Sequence, residues 1–227
     1  MRLWTLTLGD VRFQWKYGFY LLYAIFAGVY LLALSAVPQS ARQIVATVMI
    51  YTDPAAMGLF FMGAIILLEK SQRVHCALSI SPVRAWEYML GKLLSLAAIG
   101  MLVGLILAIA GGVESLPLCL AGIFFMSVLC SACGLIAAER SRTLNQFILL
   151  SVPFEILLCL PPILLLFGFE SPWLMLHPGV AAVWLIYGDA PSALLCLLSL
   201  AVWCVPALWL CKKSVRRYFA SAGGGML

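Results

Sequence analysis

Charged residues are scarce in this chain. They make up 10% of its 227 residues, whereas hydrophobic residues make up 64%. Soluble globular domains carry about a quarter charged residues, so this composition excludes an ordinary soluble domain. The apolar surface exceeds what a core of this size can bury, and we expect lipid to cover the remainder. The net charge of +5 does not indicate nucleic-acid binding, because the basic residues flank apolar stretches, where they can meet lipid head groups.

Catalytic motifs are also absent from the sequence. There is no G-x-x-x-x-G-K-S/T loop, so the chain does not bind ATP in the P-loop manner. Neither H-E-x-x-H nor G-x-S-x-G occurs, and the two histidines, His75 and His177, lie outside the apolar stretches. An enzyme that acts inside a membrane would need a nucleophile or a metal cluster at depth. The sequence therefore predicts no catalytic residues and no enzyme activity.

Eight cysteines are present, but their placement argues against disulfides and against a metal site. Most of them lie inside apolar stretches, where a free cysteine acts as a small hydrophobic residue. Cys130 and Cys133 form a C-x-x-C pair, but no second pair and no nearby histidine accompany it. We therefore expect no metal and no cofactor on this chain.

Six apolar stretches are long enough to cross a bilayer, which takes about 20 helical residues. They span residues 19–37, 44–68, 88–112, 116–138, 147–167 and 192–211. No run of charge, proline or glycine divides the chain before its last residues. We therefore predict one all-α membrane domain over residues 1–227. Residues 1–18 are expected to form an amphipathic helix at the membrane interface, and residues 212–227 a tail.

The basic residues are distributed asymmetrically around these stretches. Thirteen of the fourteen fall on one side, namely Arg2, Arg12, Lys16, Lys70, Arg73, Arg84, Lys92, Arg140, Arg142, Lys212, Lys213, Arg216 and Arg217. Only Arg42 lies on the other side, together with Glu114, Glu170 and Asp189. Short loops rich in Lys and Arg stay in the cytoplasm. The pattern predicts a multi-pass membrane protein with both termini in the cytoplasm.

The connection after the second stretch is long and charged. Glu69–Leu78 can form a short amphipathic helix that lies near the membrane plane. Ser81 and Pro82 form a helix-start pair, with serine as the N-cap and proline at the first helical position. A helix from Pro82 to near Gly111 would be about 45 Å long. Its first two turns should therefore project beyond the hydrocarbon core.

The connection between the fifth and sixth stretches, residues 169–191, is too apolar for a solvated loop. Its run Val180–Tyr187 is too short to cross a bilayer. We expect a re-entrant or interfacial segment whose backbone groups are satisfied by neighbouring protein. The connection 139–146 is short and charged, and it offers either a second contact surface or a plain solvated turn.

Two acidic residues lie inside apolar stretches. Ionisable residues at such depth are costly and are functional candidates. Glu155, two residues after Pro153, either lines a substrate path or is protonated and hydrogen-bonds a neighbouring group. Asp53 precedes Pro54, and it either belongs to the path or caps a helix that runs from Pro54 to Leu68. Both interpretations stay open for each acidic residue.

Several segments together resemble ABC-2 type permeases, the membrane subunits of ATP-driven exporters. Three of them resemble permeases identified as fluoroquinolone export subunits, namely DVRFQWKYGFY (10–20), TDPAAMGLFFMGAIILLEKSQ (52–72) and SPVRAWEYMLGKLLSL (81–96). The resemblance implies that residues 169–191 form outer re-entrant helices that close the substrate path. It also implies that ATP is hydrolysed on a separate chain.

The resemblance further implies a coupling helix around Glu69–Leu78 that contacts the ATPase, with Glu69, Lys70, Gln72 and Arg73 as its contact residues. Two ATPase chains, which bind ATP and Mg²⁺, would serve two permease chains, either identical or different. The implied activity is export of a hydrophobic or amphipathic substrate, such as a drug, a lipid or a peptide, by alternating access.

Two other functions stay open from the residues alone. The substrate-binding membrane subunit of an energy-coupling-factor importer also has about six spans, but it typically couples through small-residue motifs on an early span. Residues 19–37 carry only scattered Ala and Gly. An ion-driven secondary transporter could use Glu155, but such folds often contain inverted repeats, and the sequence shows no convincing repeat.

Overall fold

The described part of the chain is helical. The computed structural model describes residues 2–74, 83–169, 171–188 and 192–222. The helices in these ranges are α1 (Arg2–Lys16), α2 (Phe19–Ser35), α3 (Gln39–Ser71), α4 (Ala85–Gly111), α5 (Leu116–Arg140), α6 (Leu144–Leu166), a 3-10 helix (Pro172–Leu176), α7 (Pro178–Tyr187) and α8 (Ala193–Ala222). The predicted all-α class is confirmed for these residues.

Four helices, α4, α5, α6 and α8, are long and apolar enough to cross a membrane. A fifth span arises if α1 and α2, which meet at an angle of 69°, are taken as one broken helix. Gly18 makes this bend possible, because its φ of 77° is a conformation that glycine adopts without steric cost. These helices agree with a multi-pass membrane protein, while the count of six spans stays a prediction.

The pair α3 and α5 forms the centre of the helix bundle, and α5 is buried along most of its length. Gly134 lets the two backbones approach closely, since a Cβ at this position would lie 2.3 Å from the carbonyl oxygen of Leu59. Gly63 of α3 accepts the ring of Phe147 from α6 in the same way. Small residues at helix contacts permit this close packing.

The helix α3 runs without interruption through Asp53 and Pro54. The predicted helix start at Pro54, with Asp53 as its cap, is therefore wrong. A proline inside a helix removes one backbone hydrogen bond and bends the axis, but it does not always end the helix. Ile50 before the pair and Leu59 after it are both buried, so packing on both sides of the proline holds the helix together.

The helix α4 begins at Ala85, and the predicted start at Pro82 is wrong. Arg84 has an extended backbone, and its N–H donates to the carboxylate of Glu87 at 2.9 Å. A carboxylate in the first turn satisfies a backbone donor that has no partner inside the helix. Ser81 lies outside the described residues.

The last helix, α8, continues to Ala222, so most of the predicted tail 212–227 is helical. Val215 is buried against the bundle. The ring of Phe219 lies 5.3 Å from the ring of Tyr88 on α4. Packing on the other helices therefore orders a segment for which the sequence predicted no helix.

Several helices start or finish together at one end of the bundle. The ends of α1, α3, α5 and α8 lie together with the starts of α4 and α6, as the contacts described below show. We call this the basic end, because it carries the basic groups around Lys16, Lys70, Arg84, Arg140 and Lys212. These basic residues, which the sequence placed on one side, thus share one end of the fold.

At the opposite end, α7 is a short, largely buried helix that packs among α3, α5, α6 and α8. The side-chain amide of Gln43 on α3 donates to the carbonyl of Tyr187 at 2.9 Å. Nearby, the hydroxyl of Tyr51 donates to the carbonyl of Leu158 at 2.8 Å. This carbonyl has no helical partner, because the residue four positions later is Pro162, which lacks a backbone N–H. A buried short helix fits the predicted re-entrant segment, whose relation to a membrane stays a prediction.

Candidate functional site at the basic end

A buried ionic cluster joins α1, α3 and α4 at the basic end. The ammonium of Lys92 on α4 donates to the carboxylates of Asp10 on α1 (2.8 Å) and Glu69 on α3 (2.5 Å). The hydroxyl of Tyr88, one turn before Lys92, donates to the second oxygen of Glu69 at 2.7 Å. Lys92 and Glu69 are 1% and 6% exposed, so these bonds lie away from water. We call these four residues the Lys92 cluster.

Two further contacts extend the Lys92 cluster. The amide of Gln14 on α1 donates to the hydroxyl of Ser95 on α4 at 2.8 Å, and both side chains are buried. The ring of Tyr88 contacts Phe219 of α8. A buried ion pair offsets its desolvation cost only with good geometry and additional hydrogen bonds. The cluster therefore restricts α1, α3 and α4 to one relative arrangement, with the end of α8 against it.

Lys70, next to Glu69 on α3, closes the end of α5. Its ammonium donates to the carbonyl oxygens of Ala138, Glu139 and Ser141 at 2.7 to 2.8 Å. The last carbonyls of a helix have no partner within it, and a cation there also meets the negative end of the helix dipole. Burial lowers the pKa of Lys70. Lys70 therefore ties the end of α3 to the end of α5.

Gln72 and Arg73, directly after the end of α3 at Ser71, are exposed. Arg73 has a φ of 55°, a left-handed conformation that is uncommon for a residue other than glycine. The amide of Gln72 donates to the hydroxyl of Tyr17 at the end of α1. Such backbone strain persists where the surroundings hold it, and it often marks a functional segment. The end of α3 thus presents two polar side chains on a defined turn.

The predicted coupling helix Glu69–Leu78 does not begin at Glu69, because Glu69 and Lys70 form the last turn of α3. Their side chains point to partners within the chain. Gln72 and Arg73 are exposed, and residues 75–78 lie outside the described part. The contact of these residues with an ATPase stays a prediction.

The two acidic path candidates lie on different helices, Asp53 on α3 and Glu155 on α6. Of these two side chains, the structure describes only that of Glu155, which is half-buried. Cys130 and Cys159 lie near its carboxyl group. Neither acidic residue belongs to the Lys92 cluster, and their part in a substrate path stays a prediction.

Side chains that often bind metals have other roles in the described ranges. The imidazole Nδ1 of His177 accepts a hydrogen bond from the N–H of Gly179 (3.2 Å) and caps α7. Burial lowers the pKa of His177. The seven described cysteines are free, and no group of three His, Cys, Asp or Glu side chains in these ranges could hold a metal ion.

Sequence analysis did not identify Asp10, Tyr88 or Lys92 as members of a site. Asp10 and Lys92 are 82 residues apart in the chain, and no local pattern connects them. One signal was available, since Lys92 falls inside the predicted span 88–112, where an ionisable residue indicates a partner. The identity of that partner follows only from the packing of α1 and α3 on α4.

Comparison with known proteins gives a consistent result. Residues 1–218 match the family described as the Fluoroquinolones export permease protein family. Two proteins named Fluoroquinolones export permease protein, from two strains of Mycobacterium tuberculosis, are similar to this chain. Each is 31% identical over 168 residues, which cover 67% of this chain and 70% of the relative.

Proposed function

This chain belongs to the fluoroquinolones export permease family, and we propose that it is the membrane subunit of an ATP-driven ABC-2 type exporter. Its relatives are named export permeases, and four helices that could cross a membrane fit a transport subunit. ATP and Mg²⁺ bind to a separate ATPase chain in this proposal. Two ATPase chains serve two permease chains, and the second permease is either a copy of this chain or a different one.

The observation that carries the coupling to an ATPase is the arrangement at the end of α3. Gln72 and Arg73 are exposed on a defined turn. Glu69 and Lys70, directly before them, bind Lys92 on α4 and the carbonyls at the end of α5. A partner that moves the exposed turn therefore moves three helices, because rigid contacts connect them. A flexible loop at this position would absorb the motion.

The proposed transport cycle uses this connection. ATP closes the two ATPase chains, and the turn after α3 moves with them. The motion passes through Glu69 and Lys70 to α4 and α5, and a cavity between the two permease chains changes from inward-facing to outward-facing. The drive comes from the different affinity of ATP for the two conformations.

The proposed substrate is hydrophobic or amphipathic, a class that includes drugs, lipids and peptides. The few charges in the predicted spans favour such a molecule, and the relatives carry the name of the fluoroquinolones. Asp53 and Glu155 are the residues we propose for the path, because an ionisable group at that depth needs a partner.

The two alternative functions receive less support. An energy-coupling-factor importer moves its substrate inward, whereas the family and the relatives are described as exporters. The ion-driven transporter depends on Glu155, and the inverted repeats that such folds often contain are not evident in the sequence. Membership in an export permease family therefore favours neither alternative.

The coupling proposal predicts that Gln72→Ala with Arg73→Ala uncouples ATP hydrolysis from transport. The chain is expressed together with an ATPase subunit encoded by a neighbouring gene, where one is found, and export of a fluoroquinolone into inverted membrane vesicles is measured together with ATP hydrolysis. Export per ATP hydrolysed should fall about fivefold or more, the lower range of coupling energies between sites. The permease should still assemble with its second permease chain.

The matched control is Arg12→Ala, which removes an exposed basic residue from α1 at the same end. It should leave the ratio of export to hydrolysis unchanged. Normal coupling in the double variant would refute the contact at the end of α3. If the neighbouring genes encode no ATPase and export needs only an ion gradient, the ATP-driven proposal itself fails.

A further inference from the structure

A cavity of about 500 Å³ lies between the end of α5 and the middle parts of α6 and α8, on the side of the basic end. Its lining includes the carboxylate of Glu139, the apolar side chains of Ile136, Phe154 and Leu210, and the cations of Lys213 and Arg217. No part of the proposed coupling path uses it. A cavity that combines an acid, an apolar wall and basic residues restricts the chemistry of what it can hold.

Both carboxylate oxygens of Glu139 are buried and have no hydrogen-bond partner of normal geometry among the described residues, although the hydroxyl of Ser214 on α8 lies near them and lines the same cavity. An ammonium has three N–H donors, and Lys70 uses three bonds on the carbonyls of Ala138, Glu139 and Ser141. Lys70 therefore has no donor left for the carboxylate. A buried carboxylate whose nearest donor is one hydroxyl of poor geometry is costly, so a ligand with N–H groups and a positive charge would stabilise it.

The rim of the cavity has the opposite charge. Lys213 and Arg217 lie one turn apart on α8, and Arg140 lies at the end of α5; all three are exposed. A purely anionic ligand would bring its charge towards Glu139, and a purely cationic ligand would meet three positive side chains on entry. A zwitterion with an ammonium inside and an anion at the rim suits both parts of the cavity.

The apolar wall indicates that the zwitterion carries a hydrophobic body. Ile136, Phe154 and Leu210 lie on helices that could cross a membrane, and basic pockets between such helices at a membrane surface bind lipid head groups. We propose that this cavity binds the head group of phosphatidylethanolamine, with its ammonium on Glu139 and its phosphate at Arg217 and Lys213. The ammonium of this lipid has N–H donors, whereas the quaternary ammonium of phosphatidylcholine has none. The proposal requires the basic end to lie at a membrane surface and does not depend on the ATPase.

The test is lipid retention by the full chain in detergent, measured by native mass spectrometry. The probes are phosphatidylethanolamine, phosphatidylcholine and phosphatidylglycerol with identical acyl chains. We expect the wild type to retain phosphatidylethanolamine preferentially. Glu139→Gln should lower its apparent affinity about tenfold or more, the size expected for a lost charge-assisted hydrogen bond. Glu114→Gln, an acid-to-amide change at an exposed residue between α4 and α5, is the matched control and should retain the lipid.

Arg217→Met provides a second variant, because its exposed side chain can be replaced without disturbing the core. It should weaken retention several-fold by removing a phosphate contact. Equal retention of phosphatidylethanolamine by the wild type, Glu139→Gln and Arg217→Met would overturn the proposal, as would equal retention of all three lipids by the wild type. Soluble phosphoethanolamine has the same charged groups without acyl chains. If it displaces the lipid at equal concentration, the ligand is a soluble zwitterion and the lipid assignment is wrong.

Discussion

Lys92 is the least exposed charged side chain in the described part of the chain. Its ammonium binds Asp10 and Glu69, and it lies 4.8 Å from the centre of the Tyr88 ring. Removing one member of a buried ion pair costs more than replacing all members by neutral groups, because the remaining charge stays buried without a partner. The high cost of removing only one member therefore distinguishes a buried ion cluster from a set of surface charges.

We predict that Lys92→Met lowers the free energy of unfolding by about 3–5 kcal/mol, because Asp10 and Glu69 keep their charges without a cation. The triple variant Asp10→Asn, Glu69→Gln, Lys92→Met should recover most of this loss. The measurement is thermal unfolding of the purified chain in detergent. If Lys92→Met unfolds at the wild-type temperature, the three side chains do not form the buried pairs described here.

The roles of single residues were predictable from the sequence only where a local pattern sets them. Arg73 was predicted as part of a charged connection, and it is exposed there. Glu69 has the same local appearance, yet its carboxylate is buried on Lys92. The difference arises from α4, which follows in the chain after a long connection and then packs on α3. Charge in a sequence therefore identifies candidates, and packing decides which of them face outward.

At the scale of elements, α7 depends on one close approach to α6. A Cβ on Gly179 would lie 2.3 Å from the carbonyl oxygen of Leu158 and 2.6 Å from the hydroxyl of Tyr51. These two atoms form the hydrogen bond that satisfies the carbonyl near Pro162. A side chain at position 179 would therefore separate α7 from α6 and weaken that bond.

We predict that Gly179→Ala destabilises the protein by about 1–3 kcal/mol, the usual cost of added volume in a packed interior. Gly28→Ala on α2 is the matched control, since nothing lies within 4 Å of its added Cβ. It should be neutral or stabilise by up to about 1 kcal/mol through higher helix propensity. Unfolding temperatures of both variants provide the measurement, and equal effects would show that α7 does not pack closely at Gly179.

The existence of helices was easier to predict than their ends. Apolar runs identified α4, α5, α6 and α8, because each run is long enough for its apolar composition alone to predict a helix. Asp53 and Pro54 suggested a helix start within α3, but burial of Ile50 and Leu59 on either side outweighs one lost hydrogen bond. α8 extends into the predicted tail because Val215 finds a buried site on other helices, which the local composition does not reveal.

At the scale of the whole molecule, the fold brings together the basic residues that the sequence assigned to one side. Lys70 reaches the end of α5 and Lys92 reaches α1, so these residues share one end of the bundle. The packing of helices alone does not determine which end faces the cytoplasm, because the same bundle fits a bilayer in both orientations. The excess of Lys and Arg at one end predicts that this end faces the cytoplasm.

Labelling of single cysteines in intact cells with a maleimide that does not cross membranes tests this orientation. Arg73→Cys, in a chain with Cys76 replaced by serine, should react only after the cells are permeabilised. Trp173→Cys is the matched control, because Trp173 is 80% exposed near the opposite end and should react in intact cells. The reverse pattern would place Arg73 outside the cell, where an ATPase has no ATP to bind, and the proposed coupling at the end of α3 would be impossible.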